Sequence, residues 1–185
     1  PTAPATTFPL PEQNVKAAVQ WVRSEAGLTD PAIVIHGFSA GARLAALVAT
    51  TADDPTYAGV ELWPGVGDGV DGTILFYGYY DGMQFFAEDY YGPTPPTTAS
   101  SIAAADGADP DLLVVHGTDD SLTPTTDSVA LVDALTTAGG ATELVLVEGA
   151  DHAFDGYGTA ALTPAGRALV PTVDAYLDGV DGALG

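Results

Sequence analysis

Four short apolar runs punctuate the chain: Ala32-Ile33-Val34-Ile35, Ile74-Leu75-Phe76-Tyr77, Leu112-Leu113-Val114-Val115 and Leu144-Val145-Leu146-Val147. The first is apolar without alternation, which predicts a parallel strand buried on both faces. Strands are expected over 32–36, 73–77, 111–116 and 143–148, with helical patterns over 12–26, 40–51, 124–138 and 164–178. In the third helix Val129, Leu131, Val132 and Leu135 recur at half-buried helical spacing, and Gly139-Gly140 follows as a stop signal. Strands alternating with helices give an α/β class with a mostly parallel sheet flanked by helices. No internal repeat and no linker divides the chain, so 1–185 reads as one domain. Two stretches break the alternation. Residues 58–72 hold Trp63, Pro64 and five glycines and read as an irregular loop or short hairpin. Residues 77–98 are rich in tyrosine, phenylalanine and proline, and follow the end of a strand.

Candidate chemistry clusters at the ends of three of these strands. Gly37-Phe38-Ser39-Ala40-Gly41 lies between the first apolar run and the helix-like Ala42-Arg43-Leu44-Ala45-Ala46-Leu47-Val48. A serine on a tight strand-to-helix turn projects its hydroxyl above the sheet, and glycines two residues away leave room for strand and helix to pass. The helix N-terminus beneath it offers free N–H groups where negative charge develops in acyl transfer. The third run continues into His116-Gly117-Thr118-Asp119-Asp120-Ser121-Leu122-Thr123-Pro124, and the fourth into Glu148-Gly149-Ala150-Asp151-His152-Ala153-Phe154. Serine, aspartate and histidine thus arrive in the chain order of α/β-hydrolases, not of chymotrypsin or subtilisin. Three histidines are available. His36 lies three residues before Ser39 on the same strand, and His116 sits on the strand end that supplies the acid. Both read as satisfied strand-end histidines, which leaves His152 as the general base.

With these motifs the chain resembles α/β-hydrolases of the carboxylesterase and lipase type, near the hormone-sensitive-lipase-like and dienelactone-hydrolase-like esterases. Asn14 to Arg23 resembles the helix before the nucleophile strand, and Ile74 to Asp81 the strand that follows it. The resemblance implies a minimal or truncated α/β-hydrolase fold without the family's N-terminal strands. It implies Ser39 as nucleophile, His152 as base and the Ala40 N–H as one oxyanion donor. The family pattern H-G-x-x-D-x-x-x-P makes Asp120 the acid, with Pro124 in register and Asp119 as its rival. Phe38, Tyr79 and Tyr80 are the expected substrate-binding side chains; the aromatic stretch that holds the tyrosines reads equally as a pocket wall, with or without a small lid, or as ordinary packing. No H-G-G-G loop supplies a second oxyanion donor. The implied activity is cleavage of short acyl or small aromatic esters through an acyl-enzyme. The alternative is a non-catalytic binding protein on a hydrolase fold with an incomplete oxyanion hole.

Charge narrows the partners. Four Lys and Arg against 25 Asp and Glu give a net charge of −21, a surface that repels nucleic acid and anionic membranes. The expected partner is a small-molecule ester, with no nucleic acid and no membrane. Such acidity fits secreted proteins or a halophilic cytoplasm, and salt should then raise stability. Asp53-Asp54 and Asp119-Asp120 lack EF-hand spacing, and no zinc-type ligand cluster is present, so neither metal nor cofactor is expected. The chain has no cysteine, no transmembrane run and no signal peptide in the sequence as given. Without further strands the first strand would be an open sheet edge, which predicts cover by the N-terminal segment or pairing with a second copy as a homodimer.

Overall fold

The fold was analysed in a computed structural model that describes residues 7–29, 31–57, 63–81, 97–156 and 161–184. Helix α1 (Leu10–Glu25) precedes strand β1 (Val34–Phe38) and helix α2 (Ala40–Ala49). Strand β2 (Gly72–Phe76), a single turn α3 (Ser101–Ala104) and strand β3 (Asp111–Gly117) follow. Helix α4 (Thr125–Ala138), strand β4 (Thr142–Val147) and helix α5 (Pro164–Leu184) complete the order. The four strands form one wholly parallel sheet in the order β1-β2-β3-β4. The expected strands and helices are all present, with ends shifted by a few residues, and α5 runs to Leu184.

Side-chain alternation along the strands sorts the core onto two faces. Leu75, Leu112 and Val114 pack with Ala42, Ala45 and Ala46 of α2 and Leu131 and Leu135 of α4. Ile74, Phe76, Leu113 and Val115 face the other way, toward Leu169 of α5. Each fully buried aliphatic side chain of this kind contributes about 1.5–3 kcal/mol. Helix α4 stops where expected: Gly139 takes a left-handed φ of 96°, and its N–H reaches the carbonyls of Leu135 and Thr136. Tyr176 pins α5 to the start of the sheet, its hydroxyl accepting from the Thr73 N–H at 2.8 Å and donating to the Asp111 carbonyl. Gly72 makes room for it, since a Cβ there would lie 2.8 Å from that hydroxyl.

The expectation that the first strand is buried on both faces is not met. In β1, Val34 and Ile35 are half-buried and His36 is exposed, whereas β2 is buried throughout. The reason is position: β1 and β4 are the outer strands among the described residues. Residues 7–29 do not cover the free edge of β1 with a fifth strand; their helix α1 packs on α2 instead. Pro1 to Thr6 lie outside the described residues. The α1–α2 contact is charged. Arg43 donates to Glu12 at 2.8 Å, with both side chains almost fully buried. Lys16, equally buried, bridges to Asp68 at 3.0 Å and donates to the Thr51 carbonyl. Buried charges persist only in such pairs. Residues 63–71 hold no regular element, as expected of that stretch, while 58–62 and most of the aromatic stretch (82–96) lie outside the described residues. No described helix is long and apolar enough to cross a membrane.

Candidate active site

Strand β1 ends at Phe38, and the chain turns into α2 through Ser39, whose φ is 51° and ψ −118°. Ser39 is held there from both sides. Its N–H donates to the Phe76 carbonyl at 2.9 Å, and its own carbonyl accepts from the N–H groups of Ala42 and Arg43. The room this turn needs comes from one glycine. A Cβ on Gly37 would lie 2.3 Å from the Gly41 carbonyl oxygen, whereas a Cβ on Gly41 meets nothing within 4 Å. The steric demand expected on both sides of the serine therefore falls on Gly37 alone.

Two further loops converge on the serine. The loop after β3 carries Asp120 and the loop after β4 carries His152, and their backbones are zipped together. Thr118 N–H donates to the Val147 carbonyl at 3.0 Å and Asp119 N–H to the Ala150 carbonyl at 3.0 Å. Asp151 Oδ1 accepts from the N–H and hydroxyl of Ser121, each at 2.8 Å, and from the His152 N–H at 2.7 Å. Gly117 permits this approach, because a Cβ there would lie 2.2 Å from the Ala150 carbonyl oxygen.

The outcome is a continuous chain of polar contacts. His152 Nε2 lies 2.9 Å from Ser39 Oγ, and His152 Nδ1 lies 2.8 Å from Asp120 Oδ2. Of the adjacent aspartates, Asp120 is the one in contact with His152, its side chain fully buried, while Asp119 is exposed. Asp120 Oδ1 accepts from the N–H groups of Leu122 at 2.9 Å and Thr123 at 2.8 Å. Oδ2 accepts from the Thr123 hydroxyl at 3.0 Å. Burial pushes the Asp120 carboxyl up, but these hydrogen bonds and His152 outweigh it and hold it below the ordinary value of 3.8. With Asp120 ionised, Nδ1 carries the imidazole proton and Nε2 is free to accept the serine proton.

Ala40 follows Ser39 at the first position of α2, where a helix leaves N–H groups without internal acceptors. A cleft of about 500 Å³ opens beside the elbow, lined by His36, Gly37, Phe38, Ser39, Ala40 and Gly41. Phe38, one of the expected substrate-binding side chains, is among the residues lining it. The two expected tyrosines do not line this cleft. Tyr80 is fully buried in the α2–α4 core, because the chain beyond β2 turns back into that layer. Tyr79 is half-buried beside Arg43; burial pushes its phenol up, and the guanidinium partly offsets this.

Tyr77 belongs to the aromatic stretch expected near the site, though not to the expected substrate-binding side chains, and it reaches the site. Its ring packs edge-on against His152 with centroids 4.7 Å apart, and its hydroxyl donates to Asp155 Oδ1 at 2.7 Å. Its φ of 41° turns the chain at the end of β2. Thr123 was also missed, although it lies on the same loop as Asp120. Its Oγ1 stands between Asp120 Oδ2 and His152 Nδ1, at 3.0 and 3.3 Å. No group of three or more metal-ligating side chains occurs among the described residues.

Known proteins are similar to this chain in sequence and fold. Esterase LipQ of Mycobacterium tuberculosis is 34% identical over 176 residues, covering 83% of this chain and 41% of the relative. Esterase LipC of the same organism is 30% identical over 175 residues, covering 83% of this chain and 43% of the relative. The chain thus spans less than half the length of the curated relatives it matches. Among solved structures, Thermogutta terrifontis esterase 2 phosphorylated by paraoxon is similar with a TM-score of 0.78 and 27% identity, covering 91% of this chain and 63% of that one. A truncated form of a carbohydrate esterase from gut microbiota gives a TM-score of 0.71 at 25% identity, covering 80% and 63%. The family profile described as the prolyl oligopeptidase family matches residues 12–163, a span that includes the elbow serine and both loops that converge on it. The sheet, the elbow and that match agree, and the chain belongs to the prolyl oligopeptidase family, with an α/β-hydrolase fold.

Proposed function

We propose that this protein hydrolyses carboxylic esters through an acyl-enzyme on Ser39. The observation that carries the proposal is the unbroken contact from Ser39 Oγ to His152 Nε2 at 2.9 Å and from His152 Nδ1 to Asp120 Oδ2 at 2.8 Å. In this mechanism His152 takes the Ser39 proton as the oxygen attacks the ester carbonyl, then returns it to the leaving alcohol. Asp120 fixes the tautomer and stabilises the imidazolium without being protonated itself. The Ala40 N–H stabilises the oxyanion. Water then attacks the acyl-enzyme with His152 again as base, releasing the acid and restoring the serine.

The family profile takes its description from a peptidase, but the curated relatives are named esterases. That favours an ester over an amide. An open cleft walled by Phe38 supports short acyl or small aromatic esters as substrates. The chain's charge of −21 supports a neutral small molecule rather than nucleic acid as partner. A p-nitrophenyl ester series of increasing acyl length tests the reading. The expected result is fastest turnover on the shortest acyl groups, and loss of at least about a thousandfold in kcat in His152→Ala with the melting temperature unchanged. Wild-type turnover retained by His152→Ala would overturn the assignment.

A further inference from the structure

A second histidine meets the same carboxylate from behind. His116, at the end of β3, is fully buried, and its Nε2 lies 3.2 Å from Asp120 Oδ2. Nε2 also hydrogen-bonds the Thr123 carbonyl oxygen at 3.2 Å and lies 3.4 Å from the Thr123 hydroxyl. On the other side of the ring, Nδ1 lies 2.7 Å from the hydroxyl of Ser128, itself fully buried on α4. A neutral imidazole has one N–H, and a nitrogen facing a carboxylate and a carbonyl is the one that must carry it. Nδ1 then accepts from the Ser128 hydroxyl. Burial supports the neutral form, pushing the His116 imidazole below its ordinary value of 6.5 despite the pull of Asp120.

We propose that His116 is a positioning residue: its Nε2–H, fixed by the Ser128 hydroxyl on Nδ1, holds Asp120 Oδ2 where that oxygen meets His152 Nδ1. The proposal rests on the reading of Ser39, His152 and Asp120 as the reacting constellation. Asp120 Oδ2 serves two imidazoles, one that moves a proton and one that does not. The backbone N–H groups of Leu122 and Thr123 anchor Oδ1, and the Thr123 hydroxyl donates to Oδ2 from its own loop. His116 adds a rigid contact to Oδ2 from the strand side. His116 touches no reacting atom, and its effect passes through Asp120.

The side-chain amide nitrogen of glutamine can stand near the Nε2 position of histidine, whereas that of asparagine stands near Nδ1. His116→Gln therefore retains a donor to Asp120, and His116→Asn loses it. Active-site concentration is fixed by stoichiometric labelling with a fluorophosphonate, and kcat and KM are measured on p-nitrophenyl acetate for each full-length variant. Expected is a 10- to 100-fold lower kcat in His116→Asn at unchanged KM, with His116→Gln recovering to within about fivefold of wild type. Equal kcat per labelled site in all three proteins, or an equal fall in both variants, would overturn the role. Where His116→Asn does not fold, Ser128→Ala tests the same contact. It frees the ring and should lower kcat three- to tenfold at unchanged KM, and an unchanged kcat there overturns the proposal. Failure of the wild type itself to label would instead overturn the underlying assignment of Ser39.

Discussion

Ser39, Tyr77 and Ala153 are three of the four non-glycine residues with positive φ among the described residues, and each flanks the candidate site. Such backbone states cost on the order of 1–3 kcal/mol each and persist only where the surroundings enforce them. The enforcing bonds are visible: Ser39 N–H to Phe76, Tyr77 N–H to Val115, and Gly156 N–H to Ala153. They bring the Ser39 hydroxyl, the His152 imidazole and the Tyr77 ring into contact with one another in sequence. At this scale the adjacent pair Asp119-Asp120 gives a sharp contrast. Only Asp120 is buried against His152, so Asp120→Asn presents an NH₂ or a weaker acceptor to Nδ1 and disturbs its tautomer. Steady-state kinetics should show kcat reduced by about 10³- to 10⁴-fold in Asp120→Asn, and Asp119→Asn within about twofold of wild type. Equal losses in the two variants would reject the assignment of roles.

Strand and helix positions were legible because apolar runs and a glycine stop carry period and ends directly. So was the elbow, whose glycine at position 37 the fold requires. The segment after β2 was not. Beyond Phe76 the period of two ends, and nothing in Tyr77-Gly78-Tyr79-Tyr80 says which ring returns to the core; Tyr80 does, and Tyr77 meets His152. His116 is a satisfied strand-end histidine, as its position suggested, but its approach to Asp120 was hidden, since a lone strand-end histidine has no pattern. Helix α5 runs past its expected end at 178 and holds Gly179 and Gly182 despite their low helix propensity, with Val180 between them buried beside Gly72. Charge placement was also illegible: no pattern along the chain pairs Glu12 with Arg43, yet they form a buried pair joining α1 to α2, one turn beyond Ser39. Removing one partner leaves a buried charge unpaired. Glu12→Ala should therefore lower unfolding free energy by about 3–5 kcal/mol, with much of it recovered in Glu12→Leu/Arg43→Met, measured by chemical denaturation. A loss below about 1 kcal/mol in the single variant would show that water reaches the pair.

The whole molecule carries 25 acidic and four basic side chains. Three of the four cations, Lys16, Arg23 and Arg43, bridge carboxylates that join the α1 region to its surroundings. The positive charge therefore serves internal structure, and the surface is left to carboxylates. Buried phenols set a second global property. Burial pushes Tyr57, Tyr79 and Tyr80 above the ordinary value of 10.0, and Tyr176 up to about 12. A raised folded value means that the unfolded chain gives up protons first. These phenols stabilise the fold fully below pH 10.0, and that contribution is lost as pH rises toward their folded values. Melting temperature should fall as pH rises above about 10, with phenolate absorbance from these rings appearing at higher pH in the folded than in the unfolded protein. Smooth ionisation of all tyrosines in the folded state would contradict this burial. The central claim is that Ser39 is activated by His152 and Asp120, and the most direct measurement is intact mass after exposure to a fluorophosphonate, with Ser39→Ala alongside. The account predicts a single adduct on the wild type and none on Ser39→Ala; folded wild type without an adduct, or an adduct that survives in Ser39→Ala, would contradict it.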